Sequence, residues 1–260
     1  MDGAAAKFVV DKYVKPHHTV GLGTGLAVNA VVEELARRID SGALQGVRCV
    51  PASAVTASEA AFHGVPLTTQ AEAGNQVDLL LEVADELDGC DPELSFIAGR
   101  TARPQQPQLA RARQLVAAAA TCVVLVQSPE QVVSRLGGDL PVVVEEEGWE
   151  ETGEELDDIF IVDAEIWRRS LLNNADPRGG DRPYVSPEGH NILDIKFYEG
   201  LKLLGEDVGY GQIVREIEGV RGVVTHGLYT GVAAAAVVAS EDGPVELLRG
   251  SPLSVASAEE

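Results

Sequence analysis

Apolar positions in the first part of the chain alternate between short continuous runs and a helical spacing. The segment "TVGLGTG" (19–25) has the pattern of a strand and a glycine turn, and the apolar residues after it recur every three or four positions, as on one face of a helix. The run "TCVVLVQ" (121–127) is almost entirely apolar, which is typical of a parallel strand buried on both faces. This alternation predicts an α/β sheet that binds ligands at the carboxyl ends of its strands.

The pattern changes in the second part of the chain. An acidic run, "EEEGWEETGEELDDIF" (145–160), predicts a solvated loop or helix face rather than a metal site. The segment "NILDIKFYEG" (191–200) predicts a strand, and "GYGQIVREIEGV" (209–220) predicts a helix. Strands and helices of this kind, separated by long polar turns, favour a smaller α+β unit.

The change of pattern gives a prediction of domain organisation. Just before it, "SPEQVVSRLGG" (128–138) has Ser, Pro and Gln at the positions of a capping box, which predicts the start of a helix. We predict an α/β fold with a Rossmann-like parallel-sheet domain formed by residues 1–139 and 228–260. A second, smaller α+β domain is predicted at 140–227.

Charge and hydropathy exclude some classes of partner. The 260 residues include 41 acidic and 20 basic ones, for a net charge of −21. Nucleic acids and anionic membrane surfaces are bound through clusters of Lys and Arg, so the composition predicts neither as a partner. No apolar run approaches the roughly 20 residues of a membrane-spanning helix.

The cysteines and histidines predict neither a disulfide framework nor a metal site. Cys49, Cys90 and Cys122 are odd in number and lack CxxC spacing, and the five histidines lack ligand spacing. This usage predicts reduced thiols in a cytosol-like compartment, the cytoplasm or the plastid stroma.

Two segments have the residue types that chemistry on a small anionic substrate needs. The glycines of "GLGTG" (21–25) allow a tight turn whose N–H groups face an anion at a helix N-terminus, although a turn without ligand fits the same pattern. The acidic residues of "EVADELDGCD" (82–91) crowd the end of a predicted strand. In a cleft such crowding raises carboxyl pKa values and suits proton transfer, whereas in solvent it makes only a polar loop.

Several segments together resemble a known family. "YVKPHHTVGLGTG", "VPAS", "VADELD", "LGGDLPV", "YVSPEGHNILDIKF" and "GVVTHGLY" occur in the order and approximate spacing of type A ribose-5-phosphate isomerase. The resemblance implies a two-domain α/β enzyme that forms a homodimer or homotetramer. It implies interconversion of ribose 5-phosphate and ribulose 5-phosphate through an enediolate, without metal or organic cofactor, and hence a small-molecule sugar phosphate as partner.

The resemblance also implies site residues. In the glycine loop Gly23, Thr24 and Gly25 match the family, while Leu26 and Ala27 replace two hydroxyl residues. The other residues that the resemblance assigns to substrate binding are Ser53, Thr56, Gly99 and Arg100. The acidic motif fits the family in two registers, and both place Asp85 and Asp88 on motif aspartates, so these two are the expected catalytic residues.

Two residues that the family chemistry uses are missing. Ala98 stands where the resemblance implies a lysine that stabilises the oxyanion, and Ala112 or Arg113 stands where it implies the glutamate that moves the proton. Arg100, Arg103 and Arg111 are nearby cations that could supply the charge, but no carboxylate in this segment replaces the base.

The sequence therefore leaves two principal hypotheses open: a weak isomerase of this family, and a non-catalytic paralogue that serves as a sugar-phosphate-binding, regulatory or assembly subunit. A different activity on the same fold, such as acyl transfer, would need a nucleophilic glutamate that the sequence does not identify.

Overall fold

The largest sheet of the molecule is mainly parallel. The structure, a computed structural model, describes residues 1–100, 108–171, 176–180 and 182–251. Five strands of this sheet run parallel and the edge strand β14 runs antiparallel. In spatial order the strands are β14 (Val245–Leu248), β13 (Ala235–Val238), β6 (Cys122–Val126), β3 (Leu79–Val83), β1 (Thr19–Leu22) and β2 (Arg48–Pro51).

Helices cover both faces of this parallel sheet. Alternate strand residues point to opposite faces, so Leu79 and Leu81 pack into one apolar cluster with α1 and α2, while Leu80 packs into another with α4. This arrangement confirms the predicted α/β, Rossmann-like fold. The helices of this part are α1 (Gly3–Tyr13), α2 (Leu26–Asp40), α3 (Ala54–Phe62) and α4 (Leu109–Ala118).

A second, antiparallel sheet forms the smaller part of the molecule. Its spatial order is β11 (Val223–His226), β8 (Gly137–Val144), β10 (Asn191–Gly200) and β9 (Ala164–Arg168). Two helices pack with it around a third apolar cluster, α5 (Trp149–Ile159) and α6 (Tyr210–Gly219). The predicted boundaries of the two domains stay predictions, although β8 begins close to the predicted change at residue 139.

A third, small sheet connects the other two. Its strands are only two or three residues long, in the order β12 (Leu228–Tyr229), β5 (Phe96–Ile97), β4 (Glu86–Asp88) and β7 (Val132–Val133). The capping box at Ser128 is present, but it starts a single 3₁₀ turn, Pro129–Gln131, instead of the predicted helix. The β-branched Val132 and Val133 pair with β4 directly after that turn, and such residues favour strands over helices.

Side chains join the smaller part of the molecule to the third sheet. Tyr210, at the start of α6, donates its hydroxyl to Asp88 Oδ2 at 2.6 Å. Arg169, which follows β9, donates from Nη1 to the carbonyl of Gly99 at 3.0 Å and pairs with Asp194. These contacts run from α6 and the end of β9 to β4 and to the turn after β5, so they hold the smaller part of the molecule against the small third sheet.

His226 is buried where α4 meets the antiparallel sheet. Arg113 of α4 donates to the carbonyls of His226 and Leu228 at 2.8 and 3.0 Å, and its Nη2 lies 3.1 Å from His226 Nδ1. Burial and the nearby Arg113 charge lower the pKa of His226 to about 3. The imidazole is therefore neutral, and its 3.3 Å contact with Glu218 is a hydrogen bond rather than an ion pair. His226 thus has a packing role.

Two further sequence expectations concern thiols and membranes. All three cysteines are free, with Cys49 and Cys122 buried and Cys90 half-buried. Within the described ranges, no helix combines the length and the apolar character that crossing a membrane requires.

Candidate active site

The glycine loop lies at the carboxyl end of β1 and leads directly into α2. The N–H of Gly23 donates to the carbonyl of Leu81 at 2.8 Å, which ties the loop to β3. The next four N–H groups, of residues 24–27, donate to no acceptor in the part of the chain that the structure describes. Free N–H groups at a helix N-terminus attract anions, so the loop has the backbone that an anion site needs, and the phosphate site itself stays a prediction.

Ser53 and Thr56, at the start of α3, hold this loop in place. Ser53 is the N-cap of α3 and accepts from the N–H of Thr56 at 3.2 Å. The Thr56 hydroxyl donates to the carbonyl of Gly23 at 2.9 Å, and both side chains are buried. Neither residue lines the cleft described below, and their predicted contact with substrate stays a prediction. In this geometry, Ser53 and Thr56 fix the shape of the glycine loop.

A cleft opens between the glycine loop, the end of β3 and the start of α4. It contains about 680 Å³ of empty space, counted out to its open mouth. Five of the predicted site residues line it, namely Thr24, Gly25, Asp85, Gly99 and Arg100. The other described residues of its wall are Leu26, Glu82, Val83, Ala98, Gln108, Leu109, Ala112, Gln127, Gln131 and Tyr229.

Glu82 places a carboxyl group in this cleft. It is the fourth residue of β3, and only 3% of its surface is exposed. Oε1 accepts from the N–H of Val83 at 3.0 Å, while Oε2 has no hydrogen-bond partner in the described chain. Burial raises the pKa of Glu82 to about 7. The carboxyl is thus poised to exchange a proton near neutral pH.

Asp85 lies in the same cleft but is held by the backbone. Its Oδ2 accepts from the N–H of Arg100 at 2.8 Å, and the Gly99 N–H also donates to it. Burial raises the pKa of Asp85, although these hydrogen bonds and the charges of Arg100 and Arg169 oppose the rise. Asp85 therefore fixes the Gly99–Arg100 turn to the end of β3. Gly99 itself has φ +93°, a conformation that side chains disfavour.

Asp88 lies outside the cleft. Its Oδ1 accepts from the N–H groups of Cys90 and Asp91 at 2.8 and 3.0 Å, and its Oδ2 accepts from Tyr210. These contacts are those of a turn residue that also anchors α6. The catalytic role expected for Asp88 stays a prediction.

The described arginines near the cleft are already engaged. Arg100 donates from Nη1 to Glu86 and from Nε to the Asp139 carbonyl, both at 2.6 Å, and also bonds the Gly137 carbonyl. Arg111 donates to the carbonyl of Pro51 at 2.9 Å. Arg103 lies outside the described residues. Arg100 thus clamps the "GGDLPV" segment and does not offer a free charge to a ligand.

The positions of the missing family residues face the cleft. Ala98 and Ala112 both line it. Of the two candidates for the glutamate position, Ala112 is the one at the cleft, because Arg113 turns toward His226 and Leu228. The cleft therefore has small apolar walls where the resemblance implies a cation and a base.

Tyr229 is a cleft residue that sequence reasoning missed. It is fully buried and its hydroxyl has no partner in the described residues. Its ring stacks on Phe96 with centroids 4.8 Å apart, and the Arg113 guanidinium lies 4.0 Å from the ring centroid on Tyr229. The segment "GVVTHGLY" gave no signal for this role, because Tyr229 comes to the cleft through β12, far along the chain from β1 and β3.

Two other features of the described residues were candidates for a ligand site. Among the described residues no cluster of three or more His, Cys, Asp or Glu is placed to hold a metal ion. A wider surface cavity lies beside α5, with about 1370 Å³ of empty space counted in the same way, but six glutamates and only one cation, Arg221, are among its described lining residues. Its charge repels phosphate.

Comparison with known proteins identifies the family. A profile of ribose 5-phosphate isomerase A (phosphoriboisomerase A) matches residues 48–243. The ribose-5-phosphate isomerase A of Roseiflexus sp. (strain RS-1) is 34% identical over 91% of this chain and 91% of its own length. A probable ribose-5-phosphate isomerase 3, chloroplastic, of Arabidopsis thaliana is 30% identical over 88% of this chain and 76% of its own.

Solved structures share the fold. A D-ribose-5-phosphate isomerase in complex with phospho-erythronic acid has a TM-score of 0.79 at 24% identity, covering 95% of this chain and 97% of that one. The ribose 5-phosphate isomerase of Plasmodium falciparum has a TM-score of 0.77 at 24% identity, covering 95% and 99%. The match to the family profile, together with the identity to the bacterial relative, shows that this chain belongs to the ribose 5-phosphate isomerase A family.

Proposed function

We propose that the protein isomerises ribose 5-phosphate and ribulose 5-phosphate through an enediolate, at a rate reduced by the loss of two family side chains. One observation carries the proposal: a buried carboxyl with an unpartnered oxygen, Glu82, shares a cleft with the free N–H groups of the glycine loop. An anion site and a proton-transfer group side by side are what isomerisation of a phosphorylated sugar requires.

The expected reduction in rate follows from Ala98 and Ala112. Loss of a general base typically costs about 10²–10⁴-fold in rate. Loss of an oxyanion donor costs about 10²–10³-fold. A carboxyl elsewhere in the cleft offsets part of the first loss, so we propose slow turnover rather than none.

The competing hypothesis is a non-catalytic subunit that binds sugar phosphate. The small apolar walls at Ala98 and Ala112 favour it. It shares the phosphate site with the first hypothesis and differs only in proton transfer. Homodimeric or homotetrameric assembly, and location in the cytoplasm or plastid stroma, remain proposals that rest on the family resemblance and on the free cysteines.

Turnover and binding measured on one preparation separate the two hypotheses. Ribose 5-phosphate is incubated with protein at high concentration, and thermal unfolding is followed with and without phospho-erythronic acid as the probe. We expect ribulose 5-phosphate to accumulate and the probe to raise the melting temperature.

The control variant is Gly25→Val, which places a side chain at φ +152° and against Val83 and should abolish the probe's effect. A melting shift without any turnover would favour the non-catalytic hypothesis. If the protein shows no turnover and the probe causes no melting shift, the proposal is wrong.

A further inference from the structure

Unpartnered buried polar atoms are concentrated in the cleft. The described chain has five buried side-chain nitrogen or oxygen atoms without a hydrogen-bond partner. Three of them, Thr24 Oγ1, Glu82 Oε2 and Tyr229 Oη, belong to residues that line this one cleft. Buried polar atoms in folded proteins are almost always satisfied, so this grouping indicates that polar groups of a ligand complete it.

The free oxygen of Glu82 distinguishes it from the other cleft carboxyl. Asp85 is already bonded to the N–H groups of Gly99 and Arg100. Glu82 has one oxygen occupied by the N–H of Val83 and one left free. Glu82 is therefore the described carboxyl that can approach a substrate carbon without first breaking a contact.

The fold makes specific room for this longer side chain. A Cβ atom added at Gly23 would lie 2.3 Å from Glu82 Oε1. The absence of a side chain at Gly23 thus allows the carboxyl to fit beneath the glycine loop. When the family's acidic motif is matched to residues 82–88, Glu82 stands where the resemblance implies an aspartate, and its extra methylene extends the carboxyl further from the strand than an aspartate would.

Among the described residues that line the cleft, the one cation is Arg100, and it is not free. Arg100 is neutralised by Glu86 and bonded to two carbonyls, and Arg169 is paired with Asp194. Ala98 offers no charge. Among the described residues of the cleft, only neutral donors are therefore available to the oxyanion that forms during isomerisation.

Tyr229 has the properties of such a donor. Its ring is fixed between Phe96 and the Arg113 guanidinium, so the hydroxyl has a defined position. Burial raises the pKa of Tyr229, with the Glu82 charge adding to the rise. The hydroxyl accordingly stays protonated at physiological pH and can donate a hydrogen bond.

We propose that Glu82 and Tyr229 together replace the missing pair: Glu82 carries the proton between C2 and C1 of the sugar, and the Tyr229 hydroxyl donates a hydrogen bond to O1. This inference rests on the isomerase function proposed above and assigns its chemistry to two residues. Thr24, whose hydroxyl oxygen is buried and free, is a further donor to the substrate.

The proposed step balances. The Glu82 carboxylate removes the proton from C2 of the open-chain aldose, the C–H electron pair forms the C1=C2 double bond, and O1 becomes an oxyanion. Protonated Glu82 then returns the proton to C1, the C1=C2 pair moves to form that C–H bond, and the proton on O2 passes to O1. Ketose is formed, and Glu82 ends as a carboxylate. Because burial raises the pKa of Glu82 to about 7, both of its protonation states are accessible near neutral pH.

The first test is the pH profile of Glu82→Gln. In the wild-type protein kcat/KM should rise with pH and level off above about pH 7, as Glu82 ionises. Glu82→Gln should lower kcat by about 10²–10⁴-fold and remove that rise. Glu199→Gln, a change at an exposed carboxyl paired with Lys202, is the matched control and should leave the profile unchanged.

The second test is Tyr229→Phe, which keeps the stacked ring and removes only the hydroxyl. We expect kcat to fall by about 10²-fold, with a smaller change in KM, because the hydrogen bond strengthens in the transition state. Tyr198→Phe, at an exposed ring on the antiparallel sheet, is the control. Arg103→Gln is measured in the same experiment, because Arg103 is a cation close in sequence to Ala98, where the resemblance implies the missing lysine.

Exchange of solvent deuterium into the C2 and C1 positions, followed by NMR, measures proton transfer even when net turnover is slow. If wild-type protein exchanges but Glu82→Gln exchanges equally fast, the assignment of Glu82 is overturned while the isomerase function stands. If Arg103→Gln loses as much kcat as expected for Tyr229→Phe, and Tyr229→Phe loses none, the neutral-donor assignment is overturned. Absence of exchange in the wild-type protein would sink the isomerase function itself.

Discussion

At the scale of single residues, Glu82 connects stability to pH. Its carboxyl is buried and its pKa is raised from 4.5 to about 7. The folded state therefore binds this proton more tightly than the unfolded chain does. Its contribution to stability is complete below about pH 4.5 and is lost as the pH rises to about 7, because the folded state must then bury a charge.

Glu82→Gln should consequently stabilise the protein in alkaline solution. The free energy of unfolding should be close to that of the wild type at about pH 4 and higher by about 3 kcal/mol at about pH 8, from the size of the pKa change. Urea unfolding at the two pH values measures the difference. A variant that gains stability while it loses turnover cannot owe that loss to unfolding. Equal stabilities at both pH values would contradict the buried, ionisable state of Glu82.

Gly23→Ala tests the room beneath the glycine loop. The new Cβ would lie 2.3 Å from Glu82 Oε1 and 3.0 Å from the Leu81 carbonyl. We expect a loss of about 1–3 kcal/mol, as for other overpacked sites, measured by chemical denaturation. Adding Glu82→Asp withdraws the carboxyl, so the double variant should lose less than the sum of the two single ones. Gly3→Ala, where nothing lies within 4 Å, is the control.

At the scale of elements, the sequence pattern predicted a strand or helix correctly where the residues of that element alone determine it. The predicted strand at 191–200 coincides with β10, and the periodic helix after the glycine turn is α2. The 3₁₀ turn after Ser128 was missed, because the pairing of Val132 and Val133 with β4 adds to their local preference for a strand, and that pairing cannot be seen in the sequence.

Part of the candidate site could also be predicted from the sequence. Thr24, Gly25 and Asp85 follow the ends of β1 and β3, and the edge of a parallel sheet brings such positions together. The role of Glu82 depends on its burial, and that of Tyr229 on β12 lying beside β5. Neither burial nor this pairing can be derived from the spacing of residues along the chain.

The contact between Asp88 and α6 should contribute to stability and not to turnover. The Tyr210 hydroxyl donates to Asp88 and accepts from the N–H of Leu136 at 2.8 Å. Tyr210→Phe removes both contacts from a mostly buried position and should cost about 1–3 kcal/mol of stability, with turnover per folded molecule unchanged. Asp88→Asn should behave in the same way. If Asp88→Asn instead abolishes turnover in a fully folded protein, Asp88 has the catalytic role that the family resemblance implied.

At the scale of the whole molecule, the two large sheets are joined through many polar contacts. Arg169 bonds Gly99, Tyr210 bonds Asp88, and Arg113 bonds the His226 and Leu228 carbonyls. Breaking the junction would expose several buried charged or polar groups at once. We therefore predict that the two sheets unfold in one cooperative transition, despite the predicted division into two domains.

The positions of the two tryptophans allow this prediction to be checked by fluorescence and circular dichroism. Trp149 begins α5 and Trp167 lies in β9, so both indole chromophores belong to the antiparallel sheet and its helix. Tryptophan emission therefore reports unfolding of that part, while circular dichroism averages over the whole backbone. Coincident melting curves would establish cooperativity. An emission change that precedes the loss of ellipticity would show that the smaller part opens first. The same placement should leave tryptophan emission nearly silent when a sugar phosphate fills the cleft, where the aromatic ring is that of Tyr229.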